Sequence, residues 1–209
     1  KIWADVSGNG RDVTVAGTAA QVLVDANTNE NYLRGSGDTN IVFADDMLGD
    51  PAFLTDAYTF VHVCRHVDDE WPLLIFDGKT DFDDASDDAW LDTQGYWNSG
   101  FDGWNTVKRD GTALHARCLI TAWQDNVPGF DWILSTDRFT SYRANSQDFS
   151  TWDGTCTPKT QPFVVTINAG NRAPWQKGSW DCTEIIAWDY ELTLEQVETV
   201  EQCLAEKHQ

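Results

Sequence analysis

From Tyr58 to Val67 the chain alternates in the way a strand does. Tyr58, Phe60, His62, Cys64 and His66 fall on one face, and Thr59, Val61, Val63, Arg65 and Val67 on the other. Both faces are largely covered, which predicts an inner strand of a sandwich. Shorter runs of the same kind recur along the chain: "PLLIF", stopped by Asp77-Gly78, then "ALHARCLITAW", "FDWILSTD" and "PFVVTINAG". Near the start, the turn Ser7-Gly8-Asn9-Gly10 feeds an alternating stretch from Asp12 to Val15, and "NYLRGSGDTNIVFADD" repeats that layout. Gly and Asn supply the positive φ that tight turns need. The segment from Lys79 to Asp92 has no period and reads as a loop, "GYWNSGFDGWNT" spaces its aromatics with Gly and Asn, and "RANSQDFSTWDGTCTPKTQ" is turn-rich.

The end of the chain changes period. β-prone residues from Cys182 to Trp188 predict a last strand, ended by Asp189. Thr193 with Gln196 three residues on is a capping box, and Leu192 before the cap can staple onto Val197, so a helix begins at about Leu194. Val197, Val200, Cys203 and Leu204 form its apolar stripe. A lone helix cannot supply a core for 209 residues, so it covers or flanks a sheet. The expected fold is all-β, an antiparallel β-sandwich with a C-terminal α-helix packed on it, forming a single domain over 1–209.

Charge narrows the partners. Fourteen basic residues against 34 acidic ones give a formal net charge of −20, and 26 of the acids are Asp. That field repels phosphate backbones and anionic lipid, so neither nucleic acid nor membrane insertion is expected. It suits solubility in a salty or extracellular medium, and also suits carboxylates gathered around Ca²⁺. No apolar run reaches the roughly 18 residues of a membrane-spanning helix. "KIWADVSGNG" is not a signal peptide, and the chain reads as a mature piece cut from a longer one. Cys64, Cys118, Cys156, Cys182 and Cys203 include no C-x-x-C pair, which argues against a zinc or redox motif. Two disulfides with one odd thiol suit a secreted or surface-exposed protein; Cys182 with Cys203 is the preferred bridge, and burial of reduced thiols is the alternative. No N-x-[ST] sequon occurs.

Two stretches resemble a known family. "WADVSGNGRDVTV" resembles the opening of concanavalin A-like jelly rolls of the LamG type. "INAGNRAPWQKGSWDCTEIIAWDYELTLEQVETVEQCLAEKH" is similar to their closing strand and helix. The middle of the chain, including "IFDG", "WLDTQGYWNSG" and "DWILSTDRFTSYRAN", is similar to a divergent branch of the same domains. The resemblance implies a jelly roll that binds glycans or proteins, often with Ca²⁺ at its rim.

Four chemistries are open to these residues. The E-x-D-x-x-E motif that the family's glucanases use to set two carboxyls about 5 Å apart is absent. Glu184, Asp189 and Glu191 are the nearest approach, with 184 and 189 on opposite faces of a regular strand. A lyase base with a neutralising cation would draw on Tyr96, His115 and Arg117, but an acidic protein suits polyuronate badly. Glycan stacking is better served. The eleven Trp include Trp90, Trp97 and Trp104, and Tyr96, Trp97, Trp104, Asn98 and Asp102 make a candidate ligand-binding platform. Large sandwiches also bury Trp between their sheets, as expected for Trp132 and Trp188. Asp81, Asp83, Asp84, Asp87 and Asp88 are the candidate Ca²⁺ ligands, in a spacing that lacks the Gly and Glu of an EF-hand loop.

The sequence is therefore expected to encode a non-catalytic, extracellular carbohydrate- or glycoprotein-binding module. The alternative is a structural module of a larger surface filament, cell wall or capsid, contacting neighbouring subunits. A polysaccharide hydrolase or lyase stands third.

Overall fold

The computed structural model describes residues 2–17, 20–43, 59–67, 74–80, 96–101, 121–122, 132–138, 141–148, 150–151, 163–167 and 179–208. Their strands are β1 (Ile2–Trp3), β2 (Val13–Gly17), β3 (Gln21–Val24), β4 (Asn31–Gly35), β5 (Thr39–Val42), β6 (Thr59–His66), β7 (Leu74–Thr80), β8 (Tyr96–Phe101), β9 (Thr121–Ala122), β10 (Ile133–Arg138), β11 (Ser141–Ala144), β12 (Gln147–Asp148), β13 (Ser150–Thr151), β14 (Phe163–Ile167) and β15 (Trp180–Trp188). One helix, α1 (Leu194–His208), follows. A six-stranded sheet runs β1-β2-β5-β14-β7-β8, a seven-stranded sheet runs β12-β11-β10-β6-β15-β4-β3, and β13 pairs with β9. Each pairing is antiparallel.

The two sheets bury their facing sides against each other. Val13, Ile41 and Ile167 from the six-stranded sheet meet Phe60, Cys64, Trp180 and Cys182 from the seven-stranded one. β6 is central, as its alternation predicts: Phe60, His62 and Cys64 are buried on the inner side. Val61 and Val63 are buried on the outer side with Leu134 and with Leu204 of α1. The helix therefore covers the outer face of β6, β10 and β15. Trp180, 1% exposed, owes its place to a glycine. A Cβ on Gly35 would stand 2.4 Å from Trp180 Cε2, nearer than atoms can pack.

The helix starts where the cap predicts. Thr193 N–H donates to Gln196 Oε1 at 2.9 Å, and Gln196 N–H to Thr193 Oγ1 at 3.3 Å. Leu192 and Val197 are both buried. The stripe differs at one position: Cys203 is exposed, and Glu201 is buried with Val197 and Leu204 instead. At about 100° per residue, position 203 lies roughly 120° round from Val197 whereas 201 lies about 40° away.

One further expectation changes. β7 does not stop at Asp77-Gly78 but runs to Thr80, because Gly78 is paired on both sides, with Val165 and with Trp97. Tyr96 to Phe101, in the stretch whose aromatics are spaced with Gly and Asn, is strand β8, the last described strand of the six-stranded sheet, held by its register with β7. The acidic residues Asp81 to Asp88 lie outside the described residues.

Candidate functional site

A groove of about 590 Å³ opens beside the second half of β15. β4 pairs with β15 only over Trp180, Asp181 and Cys182. Past Cys182 the register on β6 slips by one residue: Cys182 opposes Cys64 and Glu184 opposes Val63, leaving Thr183 as the extra residue of a bulge. A bulge bends its strand and re-aims the side chains that follow. Here it returns Ile185 and Ala187 to the inner side, where they pack on the core. Thr183 Oγ1 reaches back to the Asn31 carbonyl at 2.9 Å.

Facing that strand is the turn from Ala4 to Asp12, which closes the groove's other wall. The carboxylate of Asp5 organises it: Oδ1 accepts from Ser7 N–H at 2.7 Å and Oδ2 from Arg11 N–H at 3.0 Å. Asp5 N–H in turn donates to Asp12 Oδ1 at 2.7 Å. The Ser7 hydroxyl, with the amides of Arg11 and Ser7, holds the Asp5 carboxyl down to about 2, so it stays ionised. Gly8 and Gly10 take the positive φ, 85° and 71°, that lets the turn close. The floor is apolar, made by Val13, Phe43, Ile185 and Ala187, and the rim is polar, with Asp5, Ser7, Asn9 and Arg11. Val6 stands almost wholly exposed at the edge. The volume falls in the range of small-molecule sites, and an apolar floor under hydrogen-bonding groups suits a ring with one apolar face and several hydroxyls.

A second constellation lies over the outer face of the seven-stranded sheet. Asp181 is fully buried and takes Arg34 Nε and Nη2 at 2.6 and 2.8 Å, and Arg65 Nε at 2.8 Å. Arg65 also stacks over Trp132 at 4.2 Å and over Tyr32 at 5.2 Å, and its Nη1 lies 3.3 Å from Asp25 Oδ2. Burial raises the Asp25 carboxyl, but the amides of Asn27 and Thr28, the Trp132 indole N–H and Arg65 together bring it below its ordinary value. With its carboxylates engaged by guanidinium groups, this cluster clamps β4, β6 and β15 together.

The carboxylates nearest a hydrolytic motif are paired with cations or turned to solvent. Glu184 pairs with Lys207, Glu191 with Arg138 at 3.0 Å, and Asp189 is exposed beyond the end of β15. Of the proposed platform, Tyr96, Trp97 and Asn98 are consecutive in β8, while Asp102 and Trp104 lie outside the described residues, as do His115 and Arg117. Trp132 and Trp188, expected between the sheets, are instead half-buried on the outer face of the seven-stranded sheet, against the cluster beneath α1. No group of three or more His, Cys, Asp or Glu among the described residues is placed to hold a metal ion. The preferred disulfide is not what the geometry supports: Cys182 is buried with its sulfur 3.0 Å from that of Cys64, and Cys203 is exposed on α1. The Ser7–Gly10 turn is legible in the sequence but the groove is not, because its other wall, β15 from Thr183 to Ala187, lies far along the chain.

The fold is thus a two-sheet, jelly-roll type β-sandwich with a C-terminal helix. No protein-family model matches the chain, and no curated protein matches it. Among solved structures it is similar to the binding domain of Paraclostridial Mosquitocidal Protein 1, with a TM-score of 0.60 and 13% identity over 96% of this chain and 49% of that one. It is also similar to Trypanosoma rangeli sialidase, with a TM-score of 0.60 and 12% identity over 99% of this chain and 31% of that one. A third likeness is domain 4 of AbnA, a GH43 extracellular arabinanase from Geobacillus stearothermophilus solved with arabinotriose. There the TM-score is 0.52 and the identity 14%, over 95% of this chain and 92% of that one. The chain spans about half of the first of these and under a third of the second.

Proposed function

We propose that this domain is a non-catalytic carbohydrate-binding module of LamG type, acting outside the cell or at its surface. The observation that carries the reading is the groove beside β15, with its apolar floor and its rim of Asp5, Ser7, Asn9 and Arg11. Sugars offer apolar C–H faces to such a floor and hydroxyls to such a rim. The likeness to an arabinanase domain solved with arabinotriose supports the substrate class. The stretch holding Tyr96, Trp97, Asn98, Asp102 and Trp104 is a competing contact surface. Calcium held by Asp81, Asp83, Asp84, Asp87 and Asp88 is part of the same proposal.

The test is a broad glycan array probed with the purified domain, with Ca²⁺ and again with a chelator. Saturable binding is expected, and Asn9→Ala and Arg11→Ala should weaken it at least tenfold with circular dichroism unchanged. Loss on Trp97→Ala alone would move the site to β8, and silence throughout would reject glycan binding.

One observation favours the second reading, a module within a surface assembly. Among the described residues β3 is an edge strand, on which Val22 and Val24 are 65% and 56% exposed. Apolar edge strands template pairing between chains. Concentration-dependent self-association in light scattering, abolished by Val22→Lys, would select it.

A further inference from the structure

Cys64 and Cys182 oppose each other in register across β6 and β15, the most extensively paired of the described strands. Both are buried, at 1% and 0% exposure, and the Cys64 thiol donates to the Cys182 sulfur at 3.0 Å. Directly opposed residues of an antiparallel pair have Cα atoms about 4.5–5.5 Å apart, inside the about 4.4–6.8 Å that a disulfide spans. From this juxtaposition we infer that Cys64 and Cys182 are the site of an intramolecular cross-strand disulfide, closed in an oxidising compartment as the chain folds.

The chemistry balances as a two-electron exchange. Two S–H bonds break and one S–S bond forms; the two electrons and two protons pass to a disulfide oxidant, a small-molecule disulfide or that of a thiol oxidase, which departs as two thiols. The step passes through a mixed disulfide, so one sulfur must first be reached from solvent. Burial, and then the neighbouring Cys182, push the Cys64 thiol well above its ordinary value, so the folded core suppresses the attacking thiolate. Oxidation therefore precedes closure of the core around Trp180, and the finished bridge is shielded from reductant. Among the described cysteines, Cys203, exposed on α1, is the one open to reagents in the folded state.

The chain is unfolded, reduced and refolded with a mixture of oxidised and reduced glutathione, then alkylated in denaturant, digested and analysed by mass spectrometry. Peptides carrying Cys64 and Cys182 should appear linked, and reductant should free them only when denaturant is present. Separate alkylation of both, or a bridge from either to any other cysteine, would overturn the inference. Stability gives a second readout: reductant should lower the urea midpoint of the wild type and leave that of Cys64→Ala/Cys182→Ala unmoved. A wild type that ignores reductant in urea would equally count against the bridge, whether or not the double variant folds.

Discussion

The Arg143 guanidinium on β11 and the Glu201 carboxylate on α1 form a buried fork, with Nε 3.0 Å from Oε1 and Nη2 3.0 Å from Oε2. Thr136 on β10 adds its hydroxyl to Oε1 at 2.9 Å, and Arg143 Nη2 also reaches the Ser146 carbonyl at 2.9 Å. Glu201 is 1% exposed and interrupts the helix's apolar stripe, so this carboxylate sits where a leucine would otherwise lie. Such a pair orients the helix on the sheet, because only one register of α1 brings Glu201 to Arg143.

Removing one partner leaves a buried charge unmatched, which costs about 3–5 kcal/mol, whereas replacing both with apolar groups of like size is near neutral. Glu201→Ala is therefore expected to lower unfolding stability by about that amount, and Arg143→Met/Glu201→Leu to recover most of it. Urea titration of the three proteins checks this. A single variant within about 1 kcal/mol of wild type would show that water already reaches the pair.

Gly35 makes an equally local claim. Its missing Cβ is the space occupied by the Trp180 indole, whose Nε1 reaches the Thr39 carbonyl at 3.4 Å. Gly35→Ala should overpack the core and cost about 1–3 kcal/mol. Trp180→Phe, itself destabilising, should make the added methyl cost less in the double variant than in the wild type. A double-mutant cycle by chemical unfolding measures this coupling, and a coupling of zero would refute the clash.

What was legible in the sequence was local. The alternation around Phe60, His62 and Cys64 placed β6 inside the sandwich because a strand repeats every two residues. Thr193 and Gln196 marked the helix start because a capping box closes within one turn. The stripe failed at Cys203 because apolarity alone cannot tell which of two neighbouring helical faces is buried when the partner on the sheet is an arginine. Arg34 and Asp181 are 147 positions apart and Arg143 and Glu201 58, and no local period announces such pairs. The groove was hidden for the same reason, compounded by the bulge at Thr183, which resets the parity of β15 without leaving a Gly or Pro to mark it.

Acid should weaken the fold in a window set by His62. Burial holds this imidazole down to about 3, whereas in the unfolded chain it titrates near 6.5. Above that value both states are neutral and the group contributes no slope. As pH falls below it, the unfolded chain takes up a proton that the native core refuses, so stability drops by about 1.4 kcal/mol per pH unit until about pH 3. His208, lowered first by burial, acts in the same direction, so the comparison must isolate His62. Between pH 7 and pH 5 the wild type should lose about 2 kcal/mol more than His62→Leu. Parallel losses would mean that His62 is protonated in the native state.

The hairpin joining β11 to β12 offers a gain in stability instead. Its two turn residues, Asn145 and Ser146, both take left-handed backbone, with φ of 47° and 65°. Two-residue hairpins favour that geometry because it matches the twist of the strands, and Asn-Gly is its preferred sequence. Asn145 tolerates the conformation and its side chain is used, Oδ1 accepting from Leu134 N–H at 3.0 Å. Ser146 contributes a backbone carbonyl to Arg143 and carries a Cβ that left-handed backbone penalises. Ser146→Gly keeps the carbonyl, removes the penalty and gives up some unfolded-state entropy, so a net gain of about 0.5–1 kcal/mol is expected. Asn145→Gly forfeits the bond to Leu134 and should be neutral or destabilising. Thermal unfolding of the two single variants decides the matter: a rise for both, or for neither, would mean that the left-handed pair is not what limits this turn.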